Sequence, residues 1–134
     1  MKSENGLTLV ELLVTLVIIG ITVALSMSIF MNGSNSAKRT TTNQKLQQEA
    51  NYIVEALRSN YLKNEETDIE LKINTTTSSL LMDGEVISQG YDYQFNEGTE
   101  LVVKIDRKEN VPFTLTIGRD DLSFMVDTTL SKIR

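Results

Sequence analysis

The chain begins with a long apolar stretch. From Leu12 to Ala37 no residue is charged, and the strongly apolar part, Leu12 to Met31, has 20 residues. At about 1.5 Å of rise per helical residue, this part spans about 30 Å, which is the thickness of the hydrocarbon core of a bilayer. The pattern therefore predicts a membrane-spanning helix near the N-terminus.

The region that follows, residues 32–64, has polar and apolar positions on different faces of a helix. Asn32 to Ser36 is polar and weakly helical, and forms either a hinge or part of a continuous helix. Beyond it, apolar residues recur at spacings of three and four, as in an amphipathic helix packed on a core: Leu46, Ala50, Ile53, Val54, Leu57 and Tyr61. We expect five polar side chains to face away from that core: Lys45, Gln48, Glu49, Glu55 and Arg58.

The remaining residues, 65–134, alternate between polar and apolar positions as half-buried strands do. Strands are predicted at residues 68–73, 80–82, 85–87, 91–95, 101–105, 111–117 and 122–126. The dipeptide Asp83-Gly84 suits the positive φ values of a type I′ hairpin turn. The order of elements predicts an α+β fold in which a long N-terminal helix, transmembrane and then amphipathic, packs against a C-terminal antiparallel sheet. We expect that sheet to be a single meander.

One carboxylate, that of Glu11, lies at the start of the apolar stretch. A charged acid at bilayer depth costs about 2.5–3.5 kcal/mol on insertion scales, so such a residue is expected to have a function and a partner. The residues around it are Gly6-Leu7-Thr8-Leu9-Val10-Glu11. This order of glycine, apolar residue, Thr, Leu, Val and Glu before a long apolar helix resembles the N-terminus of type IV prepilins and pseudopilins.

The resemblance implies a defined processing reaction at the N-terminus. A prepilin peptidase at the cytoplasmic face of the membrane would cut the bond between Gly6 and Leu7, which leaves residues 1–6 as the leader. The new N-terminal residue, Leu7, would then be N-methylated. The expected domains are the leader, a transmembrane and filament-core helix at 7–31, its amphipathic second half at 32–64 and a small β domain at 65–134.

The resemblance also implies an assembly. The expected partners are the peptidase, other pilin or pseudopilin subunits and, indirectly, an inner-membrane platform protein and an assembly ATPase. DNA is expected only as a possible cargo of the assembled system, not as a partner of this chain. The chain would be a single-pass protein of the cytoplasmic membrane with an extracytoplasmic C-terminal domain, and part of a cell-surface filament after assembly.

Elementary electrostatics supports a role for Glu11 as a counter-charge. After cleavage, Leu7 would carry a positively charged amine in or near the apolar phase. At about 4 Å and an effective dielectric constant of about 20, the amine and a carboxylate attract by roughly 4 kcal/mol. The amine belongs either to the same chain or to a neighbour, and the resemblance implies a neighbour in the filament.

Two features depart from common members of the family. The chain has no cysteine, so it lacks the C-terminal disulfide of many Gram-negative major pilins, which favours a minor pilin, a secretion pseudopilin or a Gram-positive competence pseudopilin. Ser28 stands where many members have a helix-bending proline. Gly20 and Gly33 remain as candidate soft points, because glycine is about 1 kcal/mol less favourable than alanine in a helix interior.

Three alternatives stay open at the level of the sequence. The first alternative is that residues 1–26 are an ordinary secretory signal peptide with a small-residue cleavage site at Ala24-Leu25-Ser26. Against it, Glu4 offsets the charge of Lys2, and Glu11 interrupts the start of the apolar region. A plain anchor would place Glu11 at the headgroups. An uncut anchor could also tether a binding module such as an adhesin or receptor.

Composition argues against enzymatic chemistry. The chain has neither histidine nor cysteine, so imidazole bases, thiolate nucleophiles and the usual zinc ligands are lacking. We expect no enzyme activity, cofactor or metal; a calcium site at Asp120, Asp121 and Asp127 is a weaker alternative to a polar turn.

The net charge of −5 argues against a strong nonspecific nucleic-acid surface. The aromatic stripe of Tyr91, Tyr93 and Phe95 is expected to belong to the core.

Overall fold

The computed structural model describes residues 8–63, 66–96 and 98–132. The chain divides into two compact units, residues 1–38 and residues 39–134. Helix α1 (Leu9–Tyr61) has 53 residues and provides the described structure of the first unit apart from Thr8. It is helical at Gly20, at Gly33 and throughout the polar stretch from Asn32 to Ser36, so of the two forms expected there the structure has the continuous helix.

In the second unit, α1 buries one face, as its apolar spacing predicts. The side chains of Leu46, Ala50, Ile53, Leu57 and Tyr61 are buried, and Val54 is partly buried. Their separations of four, three, four and four residues place them on one side of the helix. The polar residues expected to face away are exposed, except that the side chain of Glu49 is partly buried.

Among the residues that the structure describes, seven strands follow the helix. They are β1 (Ile69–Asn74), β2 (Ser79–Met82), β3 (Glu85–Gln89), β4 (Asp92–Phe95), β5 (Val102–Ile105), β6 (Val111–Arg119) and β7 (Leu122–Leu130). All the strand pairs are antiparallel. The α+β prediction is therefore confirmed.

The expectation of one meandering sheet is wrong. The strands form a four-stranded sheet in the order β3-β2-β1-β5 and a three-stranded sheet in the order β4-β6-β7. The chain moves to the second sheet at β4, returns to pair β5 with β1, and then moves back to β6. Alternation along a strand reports which side chains face a core, but it carries no information about which strand lies alongside, and so it could not reveal these crossings.

Two hairpin turns have the conformation that their residues favour. Asp83 and Gly84 have φ values of 52° and 86°, as the type I′ prediction requires. Asp120 and Asp121, between β6 and β7, also have positive φ values, 51° and 61°. Aspartate tolerates this left-handed region better than most residues, so the second turn forms without glycine.

The core combines residues from α1 and from both sheets. The largest buried side chains from the second sheet are Phe95 and Phe113, whose ring centroids lie 5.8 Å apart. Of the predicted aromatic stripe, Phe95 is fully buried, and Tyr91 and Tyr93 are partly buried and pack against the core. The stripe is therefore part of the core, as expected.

A polar link joins the helix to both sheets. The buried Ser88 on β3 donates a hydrogen bond to Oε1 of Glu49 at 2.5 Å, and its hydroxyl lies 2.6 Å from that of Tyr93 on β4. This contact explains why Glu49 is only partly exposed. Burial, and then the negative charge of Glu49, raises the pKa of Tyr93 to about 12, although its hydrogen bond with Ser88 acts in the opposite direction.

The C-terminal end of α1 is fixed by the loop between β5 and β6. Arg107, which is buried, donates from Nη1 to the carbonyl of Asn60 at 2.6 Å and from Nη2 to Oδ1 of Asn60 at 2.7 Å. The hydroxyl of Tyr61 donates to the carbonyl of Glu109 at 2.6 Å. A cation here satisfies carbonyls that the helix leaves unpaired and complements the negative end of the helix dipole.

We expect Arg107→Met to lower the free energy of unfolding by about 2–3 kcal/mol, since it removes charged donors from the backbone and side-chain oxygens of the partly buried Asn60. The measurement is a urea titration of the detergent-solubilised chain followed by near-ultraviolet circular dichroism. Lys108→Met, at the exposed neighbouring cation, is the matched control and should change stability little. Equal effects of the two substitutions would contradict the role given to Arg107.

The raised pKa of Tyr93 predicts a loss of stability in alkali. Below pH 10 the folded and unfolded states both keep this tyrosine neutral, so its contribution is fully present. Between pH 10 and about pH 12 the unfolded state loses the proton while the folded state retains it, so the free energy of unfolding falls as the pH rises. Urea midpoints at pH 9, 10 and 11 should therefore fall less steeply for Tyr93→Phe than for wild type, whereas Tyr52→Phe, at an exposed tyrosine, should follow wild type.

Candidate functional site

The N-terminal turn of α1 has a side-chain cap. The backbone N–H of Glu11 donates to Oγ1 of Thr8 at 3.3 Å, and the N–H of Leu12 donates to the carbonyl of Thr8 at 3.1 Å. Thr8 is therefore the N-cap residue, and it satisfies one of the donors that a helix leaves unpaired at its start.

Glu11 lies in the helical turn that Thr8 caps. Thr8 and Glu11 have the spacing of a capping box, in which an acid three residues after the cap stands in the first helical turn. A negative charge there is favourable because the N-terminal end of a helix carries partial positive charge. Sequence reasoning missed this local role of Glu11, although the pattern Thr-x-x-Glu before an apolar run signals it.

The apolar part of α1 is exposed to solvent in the isolated chain. Every residue from Thr8 to Thr41 is exposed, and between Leu9 and Met31 the exposed set includes 16 large hydrophobic side chains. Soluble monomers rarely expose a continuous apolar surface of this extent. Such a surface indicates contact with a membrane or with other protein surfaces. Within the described residues, α1 is the helix long and apolar enough to cross a bilayer, a test that a signal sequence also passes.

Three hydroxyl groups of this region form hydrogen bonds within the helix. Oγ1 of Thr15 donates to the carbonyl of Leu12, Oγ1 of Thr22 to that of Ile18, and Oγ of Ser26 to that of Thr22, each at 2.8 Å. An unpaired hydroxyl would be expensive in a medium without water. These hydrogen bonds let the helix enter an apolar phase without leaving those hydroxyl protons unpaired.

The predicted site residues stand as follows in the structure. Glu11 lies in the first turn of α1, next to its cap. Gly6 and Leu7, predicted for cleavage and N-methylation, lie outside the described residues. At Gly20 and Gly33 an added Cβ would meet nothing within 4 Å, so neither glycine is required by packing, and their role as soft points stays a prediction.

The acidic residues considered for calcium do not form a cluster. Asp120 and Asp121 form the turn between β6 and β7, whereas Asp127 lies along β7 opposite Thr114. Among residues 8–63, 66–96 and 98–132 there is no group of three or more acidic side chains placed to hold a metal ion. The turn conformation accounts for the first two aspartates.

Comparison with known families identifies the N-terminal region. The family model of the prokaryotic N-terminal methylation motif matches residues 1–27. No curated protein and no solved structure matched the chain. The match supports a type IV pilin-like class III signal peptide and thus a pilin-like or pseudopilin-like precursor.

Proposed function

We propose that this protein is a structural subunit, a minor pilin or a pseudopilin, of a type IV pilus-like, competence or type II secretion-like filament. The observation that carries the proposal is the methylation motif at residues 1–27. It is supported by the helix that the motif enters, whose large apolar side chains between Leu9 and Met31 are exposed in the single chain. A filament core of packed helices would cover that surface.

The proposal assigns a role to each segment. Residues 1–6 are the leader, removed by the prepilin peptidase between Gly6 and Leu7, and Leu7 is then N-methylated. Residues 7–31 anchor the subunit in the cytoplasmic membrane before assembly and pack in the filament core afterwards. Residues 32–64 and 65–134 form an extracytoplasmic domain.

Assembly moves the apolar helix from one apolar environment to another. Because lipid tails and neighbouring apolar helices are similar in polarity, the transfer itself releases little hydrophobic free energy, and polar contacts and close packing decide it. We assign the decisive polar contact to Glu11 and the N-terminal amine of a neighbouring subunit. The work of extraction comes from the assembly ATPase, acting through the platform protein.

The proposal is tested by intact-mass spectrometry of the protein from membranes of two hosts, one with and one without a prepilin peptidase. We expect a chain that begins at N-methylated Leu7 only when the peptidase is present. Gly6→Leu should block the cleavage, because a bulky side chain would replace the glycine at the cut. Retention of residues 1–6 in both hosts would instead indicate an uncut tethered binding module, and a start near Met27 would indicate an ordinary secreted domain.

The helix cap uses the backbone N–H of Glu11, whereas the proposed counter-charge is its carboxylate. Substitution of the side chain therefore tests the counter-charge and keeps the capping bond. We expect Glu11→Gln and Glu11→Ala to insert into the membrane normally, because removing a charge makes insertion easier. We also expect at least a tenfold loss of incorporation into filaments, which corresponds to about 1.4 kcal/mol of the pair's attraction. The readouts are the amount of protein in the membrane fraction and in sheared filaments.

Thr8→Val is the matched control, because it removes the capping oxygen and keeps the carboxylate. It should reduce assembly much less than Glu11→Gln does. If Thr8→Val lowered assembly as much as Glu11→Gln does, the first turn of the helix and not a counter-charge would account for the loss. Normal assembly of both Glu11 variants would rule out the counter-charge altogether.

A further inference from the structure

The charges of α1 are all positive over most of its length. Between Glu11 and Glu49 the sequence has no acidic residue, and its charges there are Lys38, Arg39 and Lys45. All three side chains are exposed. The ion pairs described in the structure join Lys104 to Glu70 and Arg119 to Asp120, and so do not involve these cations. We call residues 38–45 the basic segment.

The strand region has the opposite charge. Residues 66–132 contain 13 acidic and 6 basic residues. Two copies of a chain with net charge −5 repel on average, so they associate more readily if the basic segment of one copy lies against an acidic surface of the next. The charge distribution thus makes a second copy an electrostatically matched partner.

The acidic region contains an open cleft of about 490 Å³ that is lined by residues of the β4-β6-β7 sheet, by residues of the segment between β4 and β5, and by Ile73 of β1. The strand register brings three of its lining residues together: Asp92, Gly118 and Ser123 lie side by side across the three strands. Gly118 has no side chain, which leaves a hollow between the other two. Residues 98–101, between β4 and β5, also line the cleft.

The lining of this cleft combines carbon surface with negative charge. Ile73, Tyr93 and Leu101 contribute apolar atoms, and Asp92 and Glu100 contribute carboxylates. No lysine or arginine is found among the described lining residues. A long aliphatic stem that ends in a cation, the side chain of lysine or arginine, has the complementary chemistry, because the stem packs on carbon while the head pairs with a carboxylate.

We propose that this cleft receives a cationic side chain from the basic segment of a second copy of the chain. The inference rests on the proposed function in that a filament brings copies together. It adds a lateral contact outside the membrane, between folded regions that carry opposite charges. The pair of Glu11 and the N-terminal amine sets the contact at one end of the helix, and the cleft sets a second contact beyond the apolar span.

Charge reversal tests the contact in the full chain, in a host that assembles the filament. Glu100→Lys and Asp92→Lys should each lower assembly at least about tenfold, because they place like charges together. Glu85→Lys, which reverses an exposed acid on β3 outside the cleft lining, is the matched control and should remain within about threefold of wild type, as expected for an exposed surface charge. Thermal unfolding verifies that each variant is folded.

Restoration by a second reversal identifies the partner. Glu100→Lys combined with Lys38→Glu, Arg39→Glu or Lys45→Glu should recover assembly in at least one combination. The proposal is overturned if the cleft variants lose no more assembly than Glu85→Lys does, or if none of the three combinations recovers it.

Cross-linking in membranes separates a failure of this contact from a failure of the proposed function. Because the chain has no cysteine, Glu100→Cys can be mixed with Lys38→Cys, Arg39→Cys or Lys45→Cys without background. We expect one of these mixtures to form a disulfide-linked dimer in more than twice the yield of Glu85→Cys with the same partner. A specific dimer without filaments would contradict the proposed filament function but not the contact at the cleft. Filaments without a specific dimer would contradict the contact at the cleft.

Discussion

The constraint on which this molecule depends is an apolar surface that the chain does not bury. From Thr8 to Thr41 no side chain is buried, whereas the same helix buries five residues between Leu46 and Tyr61. The strands thus cover the second part of the helix and leave the first for an external apolar environment. A bilayer and a bundle of like helices both provide that environment, and a protein that exchanges one for the other needs few changes of its own structure.

Polar groups determine how the helix is held at each end. At the start, the hydroxyl of Thr8 caps the first turn and leaves the carboxylate of Glu11 at the positive end of the helix dipole. At the other end, Arg107 binds the carbonyl and side-chain oxygens of Asn60. Between them, Ser88 connects Glu49 to Tyr93 and so ties the helix to both sheets. Apolar burial supplies much of the stability, but these directional contacts fix which turn of the helix faces which strand.

Much of the fold could be predicted because local patterns report local physics. The spacing of Leu46, Ala50, Ile53 and Leu57 identified the buried face, and Asp83-Gly84 identified a hairpin by its positive φ values. The partners of Glu49 and Arg107 could not be predicted in this way. Each is a polar residue whose contact comes from a segment 39 or 47 positions away, and nothing in the neighbouring sequence distinguishes it from a solvated charge.

The sequence by itself determined the order of elements, the apolar span and the N-terminal motif with Glu11, because each is a property of consecutive residues. Only the tertiary structure decided that the strands divide into two sheets and that Asp92, Gly118 and Ser123 lie side by side. It also decided that Asp92 and Glu100 line the same cleft. Strand order and register depend on contacts between distant segments, which the alternation of polar and apolar residues leaves undetermined.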